Sequence, residues 1–281
     1  MSEIVEPGLY PDLSAEDYHA QRTSLSSTGA RTMLKAPALY RYEQDHPQPR
    51  RDTFDFGTAA HKLVLGDGPE LVAIEANDWR TKAAREERDE VAAAGGIALL
   101  AADYDRVHEM ADAIRRHPIA SALFAEGNGR PEQSLFWRDE RTGILRRARL
   151  DWLPNPRDGR LIVADYKTTV SAHPEALARA VDTYGYHQQA AWYLDGVRAL
   201  DLDEKPAFLL VFQEKTAPYL ITVVELDQPT LRIGAAKNER ALHMYRMCVE
   251  TGRWPGYVPE HEPFYLSLPA WALNRDTEEY L

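Results

Sequence analysis

The spacing of apolar residues in the first half of the chain predicts a series of helices. Between residues 101 and 117 they recur every three or four positions, which is the repeat of a helix with one buried face. These residues are Tyr104, Val107, Met110, Ala111 and Ile114. Ser26 and Ser27 are typical N-cap residues for a short helix that Pro37 ends. Helices are predicted over 28–35, 38–44, 56–65, 79–94 and 101–117, with a loop at 46–49 and no regular pattern in the first 23 residues.

After residue 131 the pattern changes from helical to strand-like. A β-hairpin is predicted from 134–137 and 144–151 around a turn at 139–143. Further strands are predicted at 161–167, 207–212 and 219–224, helices at 174–199 and 231–250, and a turn at 155–159. The order predicts an α/β fold in which helices flank a mixed central sheet. We expect one domain over 1–281: a helical N-terminal part at about 24–125, a core at about 130–250 and a proline- and aromatic-rich tail at 254–281.

The composition is that of a globular protein. Hydrophobic residues make up 44% and charged residues 27% of the 281 residues, which excludes a wholly disordered chain. No run approaches about 18 apolar residues, so no membrane span is expected. The acidic start of the sequence lacks the apolar stretch of a signal peptide, and we expect a cytoplasmic protein. The single cysteine, Cys248, excludes an intrachain disulfide and zinc or iron–sulfur sites built on several thiolates.

The balance of acidic and basic residues limits the classes of function that fit the chain, but it assigns none of them. Lysine and arginine number 33 and aspartate and glutamate 44, which gives a net charge of −11. This balance argues against a protein that coats nucleic acid with its whole surface. A basic groove on an acidic body stays compatible with it, and so does a site of carboxylates for hard cations.

The stretch from Asp151 to Lys167 carries the most specific chemistry. Asp151 closes one predicted strand, and Asp165 lies near the end of the next. Asp165 and Lys167 are two positions apart, so their side chains leave a strand on the same face. Carboxylates are costly to bring together in a folded protein unless they share a cation, and carboxylate oxygens suit Mg²⁺ or Mn²⁺.

Phosphodiester hydrolysis is the reaction that needs this set. A divalent metal neutralises phosphate oxygens and lowers the pKa of a bound water. A nearby lysine can orient that water or help to deprotonate it, and it offsets phosphate charge. The alternative is a surface aspartate–lysine ion pair, which is the usual explanation for a bare D-x-K triplet.

Three other positions bear on this choice. Pairing the hairpin strands with residue numbers that sum to 283 puts Glu132 opposite Asp151. Gln189 and Tyr193 are four apart on a predicted helix and share one face, although a core aromatic beside a hydrogen-bonded glutamine explains them equally well. His61 lies in a helical segment of small residues, where a structural histidine is the alternative to a metal ligand.

Five short motifs occur in the order and at the intervals of a known family. They are FGTAAH at 56–61, EQS at 132–134, RARLD at 147–151, VADYKTT at 163–169 and YHQQAAWY at 186–193. Together with LSST at 25–28 and KAPA at 35–38, they resemble the PD-(D/E)XK nuclease superfamily. The chain is most similar to the phage and prophage RecE-like exodeoxyribonuclease VIII family, which is related to the RecB nuclease domain. The resemblance covers most of residues 18–225 and implies a restriction-endonuclease-like core.

The resemblance also implies a role for each matched residue. His61, Asp151 and Asp165 would ligate Mg²⁺ or Mn²⁺, joined by the backbone carbonyl of Tyr166. Lys167 would position the attacking water and stabilise charge at the phosphate. The family's Q-x-x-x-Y helix motif falls on Gln189 and Tyr193, which would hold the lysine and the DNA strand, and Glu132 matches the acidic residue before the hairpin.

In that family the activity is processive 5′→3′ degradation of one strand of double-stranded DNA from an end. The exposed 3′ strand passes to a single-strand annealing recombinase, and relatives form ring-shaped oligomers around DNA. Basic residues would then need only to line the channel, with a solvated surface charge as the alternative for each. The candidates are Lys35, Arg41, Lys62, Arg146, Arg147 and Arg149. Of these, Arg147 and Arg149 share the strand face of Asp151 by alternation.

Three other functions stay open at this point. One is a structure-selective or single-strand nuclease of the same superfamily, such as a Cas4-like enzyme without its iron–sulfur cluster. Another is a catalytically silent DNA-binding or assembly module, against which the intact Asp151, Asp165 and Lys167 argue. The last is an inhibitor or scaffold on the same fold, for which the sequence offers no specific feature.

Overall fold

The computed structural model describes residues 3–4, 6–46, 56–156 and 159–281, and contains nine strands and eleven helices in those ranges. In chain order these elements are β1 (Gly8–Tyr10), α1 (Ala15–Ala20), β2 (Leu25–Ser26), α2 (Ser27–Lys35), α3 (Pro37–Asp45), α4 (Phe56–Leu65), β3 (Leu71–Ile74), α5 (Lys82–Ala93), β4 (Ile97–Leu100), α6 (Ala101–Arg116), α7 (Pro118–Leu123), β5 (Gly129–Arg138), β6 (Leu145–Pro154), β7 (Ile162–Thr169), α8 (Pro174–Tyr184), α9 (Tyr186–Ala199), β8 (Ala207–Glu214), β9 (Ile221–Glu225), α10 (Gln228–Thr251) and α11 (Ala270–Tyr280). No helix in these ranges is both long enough and apolar enough to cross a bilayer.

A mixed sheet forms the centre of the molecule, as the sequence predicts. Its strand order is β1-β5-β6-β7-β8-β9, with the short β2 added in parallel to β6. Neighbours on this path are antiparallel except for β7 and β8, which are parallel over eight residue pairs. The hairpin register is the predicted one, since both Gln133 with Leu150 and Pro131 with Trp152 sum to 283. A separate parallel pair, β3 and β4, lies outside this sheet.

Helices cover both faces of the sheet. Successive residues of a strand point to opposite faces, so each central strand packs against both layers of helices. Val163 packs with Met33 of α2, Trp192 of α9 and Leu242 of α10 in the larger core cluster. The next residue, Ala164, packs on the other side in a cluster built from α4, α6 and α7. The strands of the functional motifs are therefore fixed between two layers of helix.

The prediction of one long helix over 174–199 is wrong, because the structure has two helices there, α8 and α9. Gly185 adopts the left-handed conformation, with φ 67°, and ends α8 immediately before α9 begins. A Cβ atom at this position would also lie 2.6 Å from Arg31 Cδ. Only glycine takes this backbone conformation without strain, so the chain turns here instead of continuing as one helix.

Other differences concern short elements that depend on tertiary contacts. The first 23 residues contain β1, which pairs with β5, and α1, which Ser14 caps. The strands β3 and β4 and the helix α11 in the tail have no sequence prediction. Asp151 and Asp165 lie inside β6 and β7 and not at strand ends, because both strands extend beyond the predicted bounds. The predicted loop at 46–49 and turn at 155–159 lie partly outside the described residues.

Gly234→Ala should lower the free energy of unfolding by about 1–3 kcal/mol, the usual cost of overpacking. Gly234 lies where α10 crosses α9, and a Cβ there would approach the His187 carbonyl oxygen to 2.1 Å, a backbone atom that cannot move away by itself. Urea denaturation would measure the change. Gly256→Ala is the matched control, because nothing lies within 4 Å of its added Cβ. Equal stability of the two variants would contradict this packing.

Candidate active site

Two carboxylates face each other where β6 and β7 separate. Within the described ranges the two strands share one backbone pair, Trp152 with Ala164, and the antiparallel register puts Asp151 opposite Asp165 one step further. The Tyr166 N–H donates to Asp151 Oδ2 at 3.0 Å. Asp165 is fully buried, and the side chain of Asp151 is 15% exposed. Two acids held this closely away from water form a site that favours a bound cation.

Lys167 completes the group from the same face of β7. Its Nζ donates to Asp165 Oδ2 and lies 3.9 Å from Asp151 Oδ2. The ammonium group also lies 5.7 Å from the centre of the Tyr186 ring. The expectation that Asp165 and Lys167 project together is confirmed, and the exposed ion pair of the alternative explanation does not fit a lysine side chain that is 19% exposed.

The electrostatics follow from burial and from mutual charge. Burial, with the negative charge of Asp151, raises the pKa of Asp165 to about 6. Burial also raises the pKa of Asp151, against the opposing effect of Lys167. For Lys167, burial alone would lower the pKa, but the two carboxylates outweigh burial and hold its pKa above the usual value. The lysine therefore keeps its proton at neutral pH in the absence of a metal.

The α9 helix contributes a hydrogen bond to the cluster formed by Asp151, Asp165 and Lys167. Gln189 Nε2 donates to Asp165 Oδ1 at 2.9 Å. Tyr193, one turn later, hydrogen-bonds Gln189, and burial raises the pKa of its phenol well above the usual value. The Tyr193 ring also packs on Phe208, with ring centres 5.8 Å apart. Tyr193 is therefore both a core aromatic residue and a hydrogen-bond partner of Gln189. Trp192 Nε1 donates to a carbonyl oxygen of β6 at 2.9 Å and fixes the helix on the sheet.

His61 and Glu132 approach Asp151 from its other side. His61 Nδ1 lies 3.8 Å from Asp151 Oδ2, and its ring meets the Tyr166 ring edge-on. Ligand atoms of His61, Glu132 and Asp151 all lie within 4.8 Å of one another. Glu132 has a φ of 54° and accepts a hydrogen bond from Arg149 at 2.5 Å. Glu132 therefore binds the strand arginine while its carboxylate stays in one group with His61 and Asp151.

The donor set fits a hard divalent cation. The site has two carboxylates and an imidazole, which are ligands that Mg²⁺ or Mn²⁺ accepts. Asp165 Oδ2 is buried and has no hydrogen-bond donor apart from its ion pair with Lys167. That oxygen can therefore bind a cation without giving up another hydrogen bond. The side chains that could hold the metal are those of Asp151, Asp165 and His61, with a Glu132 carboxylate oxygen within 4.8 Å of ligand atoms of Asp151 and His61.

The strand arginines do not face an open DNA surface, which corrects the expectation for Arg147 and Arg149. Arg147 is 7% exposed and donates to the carbonyl oxygens of Gln21 and Ser24 at 2.6 and 2.5 Å. Arg149 donates to the Leu13 carbonyl oxygen at 2.7 Å, besides Glu132. Both guanidinium groups are used to hold the 13–24 segment against the sheet, which leaves neither of them free for a phosphate.

The other basic candidates lie in different places. Arg146 is 4% exposed and sits 3.9 Å from the Trp192 ring centre, and Arg41 pairs with Asp45 in the same helix. Lys62 is one residue from His61, and its Nζ donates to the Gly68 carbonyl oxygen at 2.5 Å. Lys35 is exposed at the end of α2.

Sequence reasoning missed Arg31 and Tyr186. Arg31 donates to the hydroxyl groups of Ser27 and Thr28 at 3.2 and 3.0 Å on the first turns of α2. Burial lowers its pKa, and the neighbouring Tyr193, Tyr186 and Asp165 oppose that change. Its side chain lies against Gly185, directly before α9, the helix that carries Gln189. In the sequence, Arg31 is marked only by its position five residues after Ser26 in the opening helix. A single arginine at such a position does not by itself indicate a functional residue.

Comparisons with known proteins agree with this geometry. The fold and the site define a protein of the PD-(D/E)XK class. The chain belongs to the family described as "PDDEXK-like domain of unknown function (DUF3799)", which matches residues 26–263. No curated protein matches the chain.

Two solved structures align with the chain. A crystal structure at 2.19 Å resolution of a "Putative exonuclease" from Eubacterium rectale aligns with a TM-score of 0.59 and 13% identity, over 93% of this chain and 98% of that one. The crystal structure of SSO0001 aligns with a TM-score of 0.37 and 15% identity, over 80% of this chain and 81% of that one. The first likeness shows a shared fold across nearly the whole chain.

Adding Mn²⁺ or Mg²⁺ should raise the melting temperature of the protein, because the cation binds the apposed carboxylates in the folded state alone. At 100 times the dissociation constant the gain is about 2.7 kcal/mol. Asp151→Asn should abolish the shift, and differential scanning calorimetry with each metal and with EDTA would measure it. Glu204→Gln, an exposed acid far along the chain, is the control. A native melting temperature that neither metal changes would contradict the site.

Proposed function

We propose that this protein is a metal-dependent nuclease that hydrolyses phosphodiester bonds in DNA. The observation that carries the proposal is the meeting of Asp151, Asp165 and Lys167 at the point where β6 and β7 separate. Membership of a PDDEXK-like family supports it, since the motif names this set of residues. A surface ion pair would need neither the burial of Asp165 nor its hydrogen bond from Gln189.

Each residue has a role that its contacts allow. When bound, the metal supplies charge neutralisation at the phosphate and a lowered pKa for water. Asp151, Asp165 and His61 would hold it. Lys167 would position water and balance phosphate charge from its place beside both carboxylates. Gln189 keeps the Asp165 carboxylate in one orientation.

The finer terms of the proposal come from the RecE-like resemblance. They are a preference for ends of linear duplex DNA, 5′→3′ polarity, a role in phage-type recombination with a single-strand annealing recombinase, and a cytoplasmic location. The crystal structure with the shared fold is itself named for exonuclease activity, which supports an end-dependent enzyme.

Lys167→Ala should lower the rate of DNA hydrolysis by at least about 10²–10³-fold, the cost of removing one positioned charged donor. Folding and metal binding should persist, because the variant keeps Asp151 and Asp165. The measurement is release of nucleotides from end-labelled linear duplex with Mg²⁺, with EDTA as the blank. Lys205→Ala changes an exposed lysine outside the site and is the control.

The same assay on closed circular plasmid and on single-stranded oligonucleotide decides the substrate class. Degradation restricted to linear duplex supports the exonuclease. Nicking of closed circles would instead indicate an endonuclease at the same site. Near-native rates for Lys167→Ala would contradict the assignment of the motif.

Arg31→Ala should weaken DNA binding and reduce the slope of log affinity against log salt by about one, as expected for one lost phosphate contact. Arg31 packs against Gly185 at the start of α9, the helix that carries Gln189, so we expect a strand bound at the site to pass near this cation. Fluorescence anisotropy in EDTA, where no cleavage occurs, would measure the slope. Arg80→Ala removes a solvent-exposed arginine and serves as control. An unchanged slope for Arg31→Ala would remove this residue from the DNA contacts.

A further inference from the structure

Tyr184, the last residue of α8, is an exposed aromatic residue that the proposed chemistry does not use. It is 61% exposed. Its ring contacts the ring of Tyr186, with ring centres 5.6 Å apart. Tyr186 in turn packs on Phe212, which is buried in the larger core cluster, with ring centres 5.8 Å apart. Tyr184 is therefore the exposed end of a row of three rings that begins in the core.

The turn at Gly185 brings the two tyrosines together. Residues two positions apart on one continuous helix do not face each other. Gly185 ends α8 in the left-handed conformation, so Tyr184 and Tyr186 belong to different helices. Their rings can then meet, at an interplanar angle of 34°. The aromatic pair is thus a product of the change of direction between α8 and α9.

The tyrosine pair borders the candidate active site. The ammonium group of Lys167 lies 5.7 Å from the centre of the Tyr186 ring, and the Tyr184 ring is the next one outward. Nucleotides of one strand follow each other at about 3.4 Å along a duplex axis, so Tyr184 lies within roughly four nucleotides of a phosphate held at Lys167. A strand bound for hydrolysis would therefore carry one of its bases to this ring.

A second cation accompanies the rings. The Arg31 side chain lies against Gly185, the residue between the two tyrosines. Proteins that bind single-stranded nucleic acid combine cations that follow the phosphates with exposed rings on which bases stack. Lys167, Arg31 and Tyr184 together provide both kinds of group on one side of the site.

The support of the Tyr184 ring distinguishes it from other exposed aromatic residues. A single apolar side chain on a protein surface is ordinary and does not by itself indicate a binding site. The Tyr184 ring, however, is packed against Tyr186, which rests on the core. A tyrosine has only two side-chain torsions, so a ring that is already packed on one side loses little conformational freedom when a ligand stacks on it.

We propose that Tyr184 stacks on an unpaired base of the DNA strand that enters the active site. The inference rests on the proposed nuclease function and adds a contact with a base to the contacts with metal and phosphate. Every base has an aromatic face, so this contact binds the strand without selecting a sequence.

A double-mutant cycle between the tyrosine and the base tests the stacking. The probe is a duplex frayed by mismatches over the roughly four terminal nucleotides that the distance allows, with an abasic nucleotide at each frayed position in turn. Fluorescence anisotropy in EDTA measures the affinity without cleavage. Tyr184→Ala should bind the frayed duplex at least about fivefold more weakly than native protein. At one abasic position native protein should lose the same factor, and Tyr184→Ala should cause no further loss there.

Two further readouts separate stacking from other contacts. Tyr184→Phe keeps the ring and should bind as native protein does. Tyr184→Ala should leave the slope of log affinity against log salt unchanged, because an uncharged side chain displaces no counterion from DNA. If Tyr184→Phe binds as weakly as Tyr184→Ala, or if the slope falls, the effect belongs to the hydroxyl group or to a phosphate contact and the proposal is overturned.

Tyr42→Ala is the matched control. Tyr42 is 58% exposed on α3, and its ring also stacks on one neighbouring ring, that of His46. This variant should bind every probe as native protein does. A loss equal to that of Tyr184→Ala would mean that any exposed ring has this effect, which would overturn the proposal.

The same experiments distinguish this inference from the nuclease function. If native protein cleaves DNA with Mg²⁺ but no abasic position is coupled to Tyr184, only the stacking contact is wrong. If native protein neither binds nor cleaves the frayed duplex, the nuclease function is wrong and the stacking contact with it.

Discussion

The apposition of Asp151 and Asp165 is the constraint on which the rest of the site depends. Two carboxylates one step beyond the single β6–β7 backbone pair repel each other, and burial makes the repulsion stronger. The surrounding residues offset this repulsion with a positive charge and with hydrogen bonds. Lys167 contributes a fixed positive charge, Gln189 donates a hydrogen bond, and the Tyr166 N–H binds Asp151 in place of a strand partner. The strand register thus brings two carboxylates and an ammonium group to one point.

Sequence alone predicted the parts of this arrangement that rest on local periodicity. Strand alternation placed Asp165 with Lys167, and the central hairpin turn gave the β5–β6 register. The nuclease superfamily and the mixed sheet with flanking helices were predicted correctly as well. The short strands β1, β3 and β4 were missed, because three or four residues become a strand only through a partner elsewhere in the chain.

Arg147 and Arg149 show what the alternation of side chains along a strand does not predict. Arg147 and Arg149 do share one side of β6, as predicted, but that side is covered by the segment at 13–24, whose carbonyl oxygens they bind. Which layer covers a strand face is a property of the whole fold. In the same way, Arg31 lies against the start of α9 because Gly185 has no side chain at that point of close approach. Neither outcome is encoded in the spacing of charges along the sequence.

The close crossing of α9 and α10 at Gly234 has a consequence for the active site. Asn238 of α10 donates to the Gln188 carbonyl oxygen at 3.0 Å, immediately before Gln189. With no side chain at Gly234 between the two backbones, the two helices pack in direct contact. The backbone that carries the Gln189 amide, which binds the Asp165 carboxylate, is therefore held in place by α10.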